Sequence, residues 1–397
     1  MKRALFLAYD FPPCKAPGAA VRSVKFARYL TDFGWQATVV SRDEGLRAEG
    51  PEGSPIVRIP PPVTPRLSYQ LAAWLWALRV VTPAAELLRA GHFDLIYATC
   101  PPFPHSLAAL SLSRKTGLPL VVDLRDPWSL DPYGAKGWAK GILKRALCSW
   151  VYPIPERRVL EGAAAVIVNT PSMQREYARM LGWSAERIHL LPNGYDEADF
   201  SGDVAPVAGK RPVFLYCGRF GEVAGRDPGL LLRAARALRD RGVDIDFRIV
   251  GDDSVLLRKQ VARLGLAATV TVRASVPHRE AIREIRGADV LVVCQPNTPH
   301  GISSVAGKTF EYLRSGQPIL AVVPPGDNAD LVRAHAPTHE VVTSFELDDV
   351  IRAMESCARR VGGSAVRSDR PPAEFARRHE RRALTGRLAE VFEAVTA

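Results

Sequence analysis

The sequence reads as an α/β protein of two Rossmann-like, doubly wound domains facing a cleft. Three observations predict this. The chain has 397 residues, more than one ordinary core accommodates, so two domains are the default. Short apolar runs alternate with amphipathic stretches from Arg3 to about Tyr195, and the alternation starts afresh at Val213. Such an order builds parallel sheets with helices on both faces. Between the two arrays, residues 201–212 combine Gly, Ala, Pro and charge and read as a linker. The expected division is 1–200, the linker 201–212, a second domain at 213–370, and a charged terminal helix at 371–397 packing back towards the N-terminal domain.

Taken in order, residues 4–8 form a strand and 19–33 a helix, with Val21, Val24, Leu30 and Phe33 among its apolar positions and Gly34 ending it. Residues 36–40 return as strand. The Pro-rich stretch 51–68 reads as irregular. Residues 71–90 read as a helix interrupted near Pro83, because proline lacks an N–H and crowds the preceding turn. Strands at 95–98, 118–124, 163–168 and 188–191 follow, with a helix at 106–115. In the second array, strands at 213–217, 246–250, 269–272, 290–293 and 319–323 alternate with helices at 230–239, 255–264, 278–286 and about 306–314.

Hydrophobic content of 47% and charged content of 24% fit a globular protein. The net charge of +11 suits nucleic acid, an anionic membrane face or phosphorylated substrates, and charge alone does not choose among them. Six scattered cysteines form no CxxC pair, which fits a reduced, cytoplasmic protein and indicates no zinc site. The start MKRALFLAYD loses its apolar run at Asp10 and reads as a first strand rather than a signal peptide. The longest apolar stretch, 71–81, carries Arg79 and falls short of the roughly 20 residues of a membrane span, so no crossing is expected.

Residues 290–323 are the most informative stretch. An apolar run leads into a loop rich in Pro, Gly and Ser, then a short helix with Gly316 at its end, then another apolar run. In a parallel sheet that loop lies at the carboxyl edge, where such folds bind ligands. Gly307 leaves backbone N–H groups at a helix start for a phosphate, and Glu311 lies one turn further in, placed for ribose hydroxyls. After the first strand there is no G-x-G-x-x-G, only Gly18 and Ala19 at a helix start, so dehydrogenase chemistry loses ground. In the second array, Arg219 follows a strand directly and Arg226 comes seven residues later, two guanidinium groups suited to phosphate oxygens.

Five segments occur in an order that resembles the family 4 retaining glycosyltransferases of the GT-B fold. They are YDFPP with Gly18, LPNGYDEADF at 191–200, GRFGEVAGRDPGLLLRA at 218–234, FRIVGDD at 247–253 and GKTFEYLRSGQPILAV at 307–322. The resemblance implies a nucleoside-diphosphate sugar donor, UDP or GDP foremost, and a glycan or lipid-linked acceptor from surface-glycan synthesis. Gly18 and Ala19 would lie over the diphosphate, and Arg219 with Arg226 would neutralise it. Val276 would line the base pocket, backbone at Val305, Ala306 and Gly307 would hold phosphate, and Glu311 the ribose. Transfer would proceed with retention, without a metal or cofactor, the leaving diphosphate itself taking the acceptor proton. Catalysis would then rest on positioning and electrostatic support.

Three departures from the family pattern stand out, one of them Arg226 where the family usually has Lys. Ser303 occupies the place of the first Glu of the E-x7-E motif, although Lys308, Glu311 and Tyr312 resemble the Ser/Pro-x-Lys-x-x-Glu-Tyr version of related subgroups. Arg125 stands where the family often has His. Asp126 beside it fits an active-site carboxylate, an N-cap or a partner for Arg125. His105 follows another strand-to-helix loop and is a candidate catalytic group.

Residues 136–152 form a basic amphipathic segment that fits either the interface of an anionic membrane or packing on its own domain. An epimerase or other nucleotide-sugar enzyme of the same fold is the alternative to a transferase. No helix-turn-helix or aromatic-basic platform supports a nucleic-acid partner.

Overall fold

The computed structural model describes residues 1–14, 17–45, 54–60, 68–129, 151–202, 211–220, 227–361 and 371–397. Residue contacts divide them into two compact units. The first takes the described residues up to Asn193 together with Arg381–Ala397, and the second takes Gly194–Glu380.

The first unit is built on a seven-stranded sheet. Its strands are β1 (Lys2–Leu7), β2 (Trp35–Arg42), β3 (Ile56–Ile59), β4 (Leu95–Cys100), β5 (Leu120–Leu124), β6 (Ala165–Val168) and β7 (Ile188–Leu190), in the order β3-β2-β1-β4-β5-β6-β7. Every pairing is parallel. Side chains alternate between faces, so β1 sends Leu5 and Leu7 to one buried layer and Ala4 and Phe6 to the other. That is why its strands read as continuous apolar runs rather than as alternating ones. The helices are α1 (Pro17–Tyr29), α2 (Tyr69–Ala90), α3 (Pro104–Thr116), α4 (Pro153–Glu161) and α5 (Pro171–Leu181). α5 carries its start and stop in sequence: Thr170 accepts the Met173 N–H, Pro171 opens the helix, and Gly182 ends it in the left-handed region.

The second unit repeats the plan with six parallel strands. They are β8 (Val213–Cys217), β9 (Asp246–Val250), β10 (Val270–Arg273), β11 (Val290–Cys294), β12 (Ile319–Val322) and β13 (His339–Val342), in the order β10-β9-β8-β11-β12-β13. Its helices are α6 (Gly229–Asp240), α7 (Val255–Arg263), α8 (His278–Gly287), α9 (Pro299–Ser303), α10 (Gly307–Ser315), α11 (Asp327–His335), α12 (Leu347–Val361) and α13 (Ala373–His379). The strand order reverses between β8 and β11, and between β1 and β4 in the first unit. Ligands of doubly wound sheets bind beyond the carboxyl ends at such a reversal.

Four expectations need correction. The tail is two helices: α13 stacks Phe375 on Tyr195 in the second unit, whereas α14 (Arg381–Thr396) buries Leu384, Leu388 and Phe392 against the first sheet. Pro83 does not interrupt α2, which is continuous over 22 residues. Its buried face of Ala73, Trp76, Ala77, Val80 and Ala84 offsets the one hydrogen bond that proline forfeits. At that length α2 is apolar enough to cross a membrane by composition, unlike the shorter stretch read from sequence. One face of it packs into the first unit, through Ala73, Trp76, Ala77, Val80 and Ala84, and 28% of its apolar window is buried. Finally, residues 56–59, read as irregular, add β3 to the sheet edge, with Val39 opposite Ile56.

Candidate functional site

At the reversal in the second sheet, β8 ends in Cys217 and Gly218, β9 in Val250 and Gly251, and the chain after β11 returns as α10. Gly218 donates its N–H to the Val250 carbonyl at 2.7 Å. A methyl on Gly251 would lie 3.1 Å from the Gly218 nitrogen, and both residues have positive φ. Only glycines let the two strand ends approach so closely. Asp252 then clamps the two loops together, accepting N–H groups from Phe220 and Ser254 at 2.9 Å each.

α10 is fixed to this edge from below. Tyr312 is buried and accepts the Cys217 N–H at 3.0 Å. Burial pushes the Cys217 thiol up to about 12, so it stays protonated at neutral pH. At the helix start, Ala306 provides no side-chain cap, and the Gly307 Cα faces open space with nothing within 4 Å of where a Cβ would stand. The first backbone N–H groups of α10 are thus available to an anion. The Lys308 ammonium, on the same first turn, reaches back to the end of β8 and lies 3.8 Å from the centroid of Tyr216, which is itself stacked on Phe220 at 3.9 Å.

Glu311 is one turn along α10 and receives a hydrogen bond from His278 Nε2 at 2.9 Å. The other His278 nitrogen lies 3.8 Å from Asp199. Val276 and Val305 pack partly buried on the same core layer, and Ala306 is buried at its margin. Arg219 is exposed directly after β8, its carbonyl bonded by the Tyr216 hydroxyl at 3.2 Å. Ser303 is buried and turned to the Pro299 carbonyl at 3.3 Å. Behind it, Gln295 bonds Ser304 and takes a hydrogen bond from Asn328 at 2.7 Å, which holds the loop between β11 and α10. Arg226 and residues 136–150 lie outside the described residues.

In the first unit, Gly18 and Ala19 open the first turn of α1. That helix is bound to the sheet by a buried fork from Arg22 to Asp123, at 2.8 and 3.0 Å, while the Tyr97 hydroxyl also donates to Asp123. Asp123 is therefore a structural carboxylate. Arg125 turns back to the Cys100 and Pro101 carbonyls, at 3.2 and 2.7 Å. Asp126 is exposed and, among the described residues, neither caps a helix nor pairs with Arg125. Its loop is pinned just beyond by Glu156, which accepts from Ser129 and from Tyr177.

His105 does not fit the catalytic expectation. It is fully buried, packs edge-on to Trp76 and donates to the Thr99 carbonyl at 3.0 Å. Burial pushes its imidazole down to about 4, so it is neutral at physiological pH and out of reach of a substrate.

Two parallel doubly wound units, with a helix start exposed at the second sheet's reversal, are the GT-B architecture. The glycosyl transferase 4-like domain model matches residues 17–194, and the glycosyl transferases group 1 model matches residues 211–359. A D-inositol 3-phosphate glycosyltransferase of Pseudarthrobacter chlorophenolicus is 28% identical over 358 residues, which span 81% of this chain and 79% of that one. Among solved structures, HepE of Anabaena in complex with UDP superposes with a TM-score of 0.69 at 17% identity, over 99% of this chain and 100% of that one. The UDP-GlcNAc 2-epimerase of Methanocaldococcus jannaschii gives 0.59 at 11% identity, over 99% and 100%. The chain belongs to the family 4-type glycosyltransferases of the GT-B fold. It is an enzyme that uses a nucleotide sugar.

The sequence alone does not mark His278, Asp199, Tyr216 or Gly251 as site residues. Gly251 and Asp252 lay within the FRIVGDD segment without a role. His278 carried no signal, since a histidine opening a helix has no distinctive neighbours.

Proposed function

We propose that the protein transfers a sugar, with retention, from a UDP- or GDP-sugar to a glycan or lipid-linked acceptor in surface-glycan synthesis, on the cytoplasmic side of a membrane. One observation carries the donor half of this reading. The uncapped start of α10, the Lys308 ammonium and Glu311 lie in sequence along one helix at the carboxyl edge of the second sheet. In this reading the α10 N–H groups, Lys308 and Arg219 hold the diphosphate, with Arg226 as a second guanidinium. Glu311 takes the ribose hydroxyls, and Val276 lines the base.

The chemistry follows from charge. The bond from the anomeric carbon to the diphosphate oxygen breaks as negative charge gathers on the leaving group. Cations fixed in advance at that oxygen lower the barrier without reorganising. The acceptor hydroxyl oxygen bonds to the anomeric carbon on the same face while its proton passes to the departing diphosphate oxygen, so no separate base is needed. Asp126 orients the sugar or acceptor hydroxyls. Ser303 presents a small neutral group where a carboxylate would otherwise meet the transferred sugar, so donor choice falls to the surrounding loop.

The test is a panel of UDP- and GDP-sugars incubated with the purified protein and candidate acceptors, read by mass spectrometry. Transfer to an acceptor, with Arg219→Ala turning over far more slowly, supports the reading. Interconversion of the free donor without transfer would instead identify an epimerase-type activity.

A further inference from the structure

His278 bridges two carboxylates that come from distant parts of the chain. Its Nε2 donates to Glu311 Oε1 at 2.9 Å, and its Nδ1 lies 3.8 Å from Asp199 Oδ2. An ionised carboxylate only accepts, so the proton on this hydrogen bond belongs to the ring. Glu311 Oε2 takes no hydrogen bond among the described residues, and the carboxylate stays about a quarter exposed, with its side chain 24% accessible.

Asp199 sits on a backbone turn that two neighbouring arginines tie down. It belongs to the short 3-10 turn Glu197–Phe200. Arg314, one turn after Glu311 on α10, grips Glu197 in a two-pronged fork at 2.7 and 2.5 Å. Its guanidinium also lies 4.8 Å over the Phe200 ring. From α8, Arg286 donates to the Phe200 and Gly202 carbonyls, the former at 3.1 Å. The turn, α8 and α10 therefore form a closed triangle of charged contacts, with His278 on the side nearest Glu311.

A free glutamate on a helix surface samples several rotamers, and fixing one before a ligand arrives removes that entropy cost from binding. We propose that His278 is a positioning residue: backed by Asp199, it holds Glu311 Oε1 so that Oε2 faces the ribose hydroxyls of a nucleoside diphosphate. This rests on the assignment of Glu311 to the ribose given above. The imidazole touches no reacting atom. It acts only through Glu311, and what it controls is selectivity for a ribose carrying its hydroxyls.

The experiment is calorimetric titration of the full chain with UDP and GDP and with their 2′,3′-dideoxy counterparts. The wild type is expected to prefer the hydroxylated nucleotide by about 10-fold or more, the scale of one or two hydrogen bonds to a charged group. His278→Ala should bring that preference close to unity. His278→Gln, whose amide still donates to Glu311, should restore most of it, and Asp199→Asn should fall between. Thermal melting confirms that each variant is folded. Should His278→Ala fail to fold, the Asp199→Asn and His278→Gln pair decides. A wild type that discriminates while folded His278→Ala or Asp199→Asn discriminates equally well overturns the positioning role and leaves Glu311 in place. A wild type that does not discriminate, or binds neither nucleotide, overturns the Glu311 assignment and the proposal with it.

Discussion

The Lys308 ammonium lies 3.8 Å from the ring centroid of Tyr216, and a methyl group on Gly218 would collide with it. The glycine leaves room for a cation at the end of β8, and the ring face holds that cation there. Lys308→Met keeps most of the apolar stem and removes the charge. Turnover should fall about 100-fold, the usual scale for losing one preorganised group that stabilises developing charge. The melting temperature should change little. Steady-state rates and a thermal melt check both halves, and a variant at full rate removes Lys308 from the diphosphate site.

Two glycines at this edge should separate packing from ligand contact. Gly251 has φ +112° and would drive a Cβ to 3.1–3.3 Å from Gly218 backbone atoms. Backbone has no rotamer to retreat into, so Gly251→Ala should cost about 2 kcal/mol. Gly307 has nothing within 4 Å of its added Cβ. Gly307→Ala should hold or slightly raise stability, by up to about 1 kcal/mol, because alanine favours a helix. It should nevertheless weaken donor binding if phosphate approaches this backbone. Chemical denaturation and calorimetry give the two readouts.

The buried His105 makes stability depend on pH. Its folded value is lowered to about 4 from an ordinary 6.5, so between these values the unfolded chain binds a proton that the folded chain excludes. Its contribution is therefore present above pH 6.5 and is lost as pH falls towards 4, to a total of about 3 kcal/mol. His105→Gln should flatten the stability profile over that window relative to wild type while leaving turnover near normal. Denaturant unfolding at stepped pH checks the first statement, and a collapse of turnover in the folded variant would return His105 to the reaction.

Both sheets were legible because their strands are buried on each face and read as unbroken apolar runs between Gly- and Pro-rich loops. α10 was legible for a different reason: its glycine end, its exposed start and Glu311 all lie within ten residues of one another. What escaped depended on partners distant in sequence. IVRI at 56–59 is too short and too flanked by Pro to show as strand until β2 is beside it. Pro83 looked like a break because the local rule sees the missing N–H but not the buried face that outweighs it. Glu380 divides the charged tail, yet nothing local says that α13 and α14 join different units. His278 gains meaning only when residues 199, 278 and 311 meet.

Glu156 stands to the Asp126 loop as Tyr312 does to α10, as a buried anchor one step from an exposed group. It is fully buried on α4 and accepts the Ser129 N–H at 3.1 Å, the Ser129 hydroxyl, and the Tyr177 hydroxyl at 2.5 Å. The Tyr177 oxygen in turn accepts the Trp128 N–H at 3.0 Å, and Trp128 stacks on Phe103 with centroids 5.1 Å apart. Burial holds the Glu156 carboxyl above the usual range, against the pull of these donors. Glu156→Ala would strand two hydroxyls and an N–H in the interior, a loss of about 3 kcal/mol. Glu156→Gln keeps the shape and one of the two acceptor oxygens, enough for the two Ser129 bonds, and should cost about 1 kcal/mol. If the loop serves the reaction through Asp126, folded Glu156→Gln should keep near-normal turnover whereas Asp126→Ala should lose turnover without losing stability. Melting curves and rates on the three variants test this. Full activity in Asp126→Ala would leave Glu156 as an anchor for the fold alone.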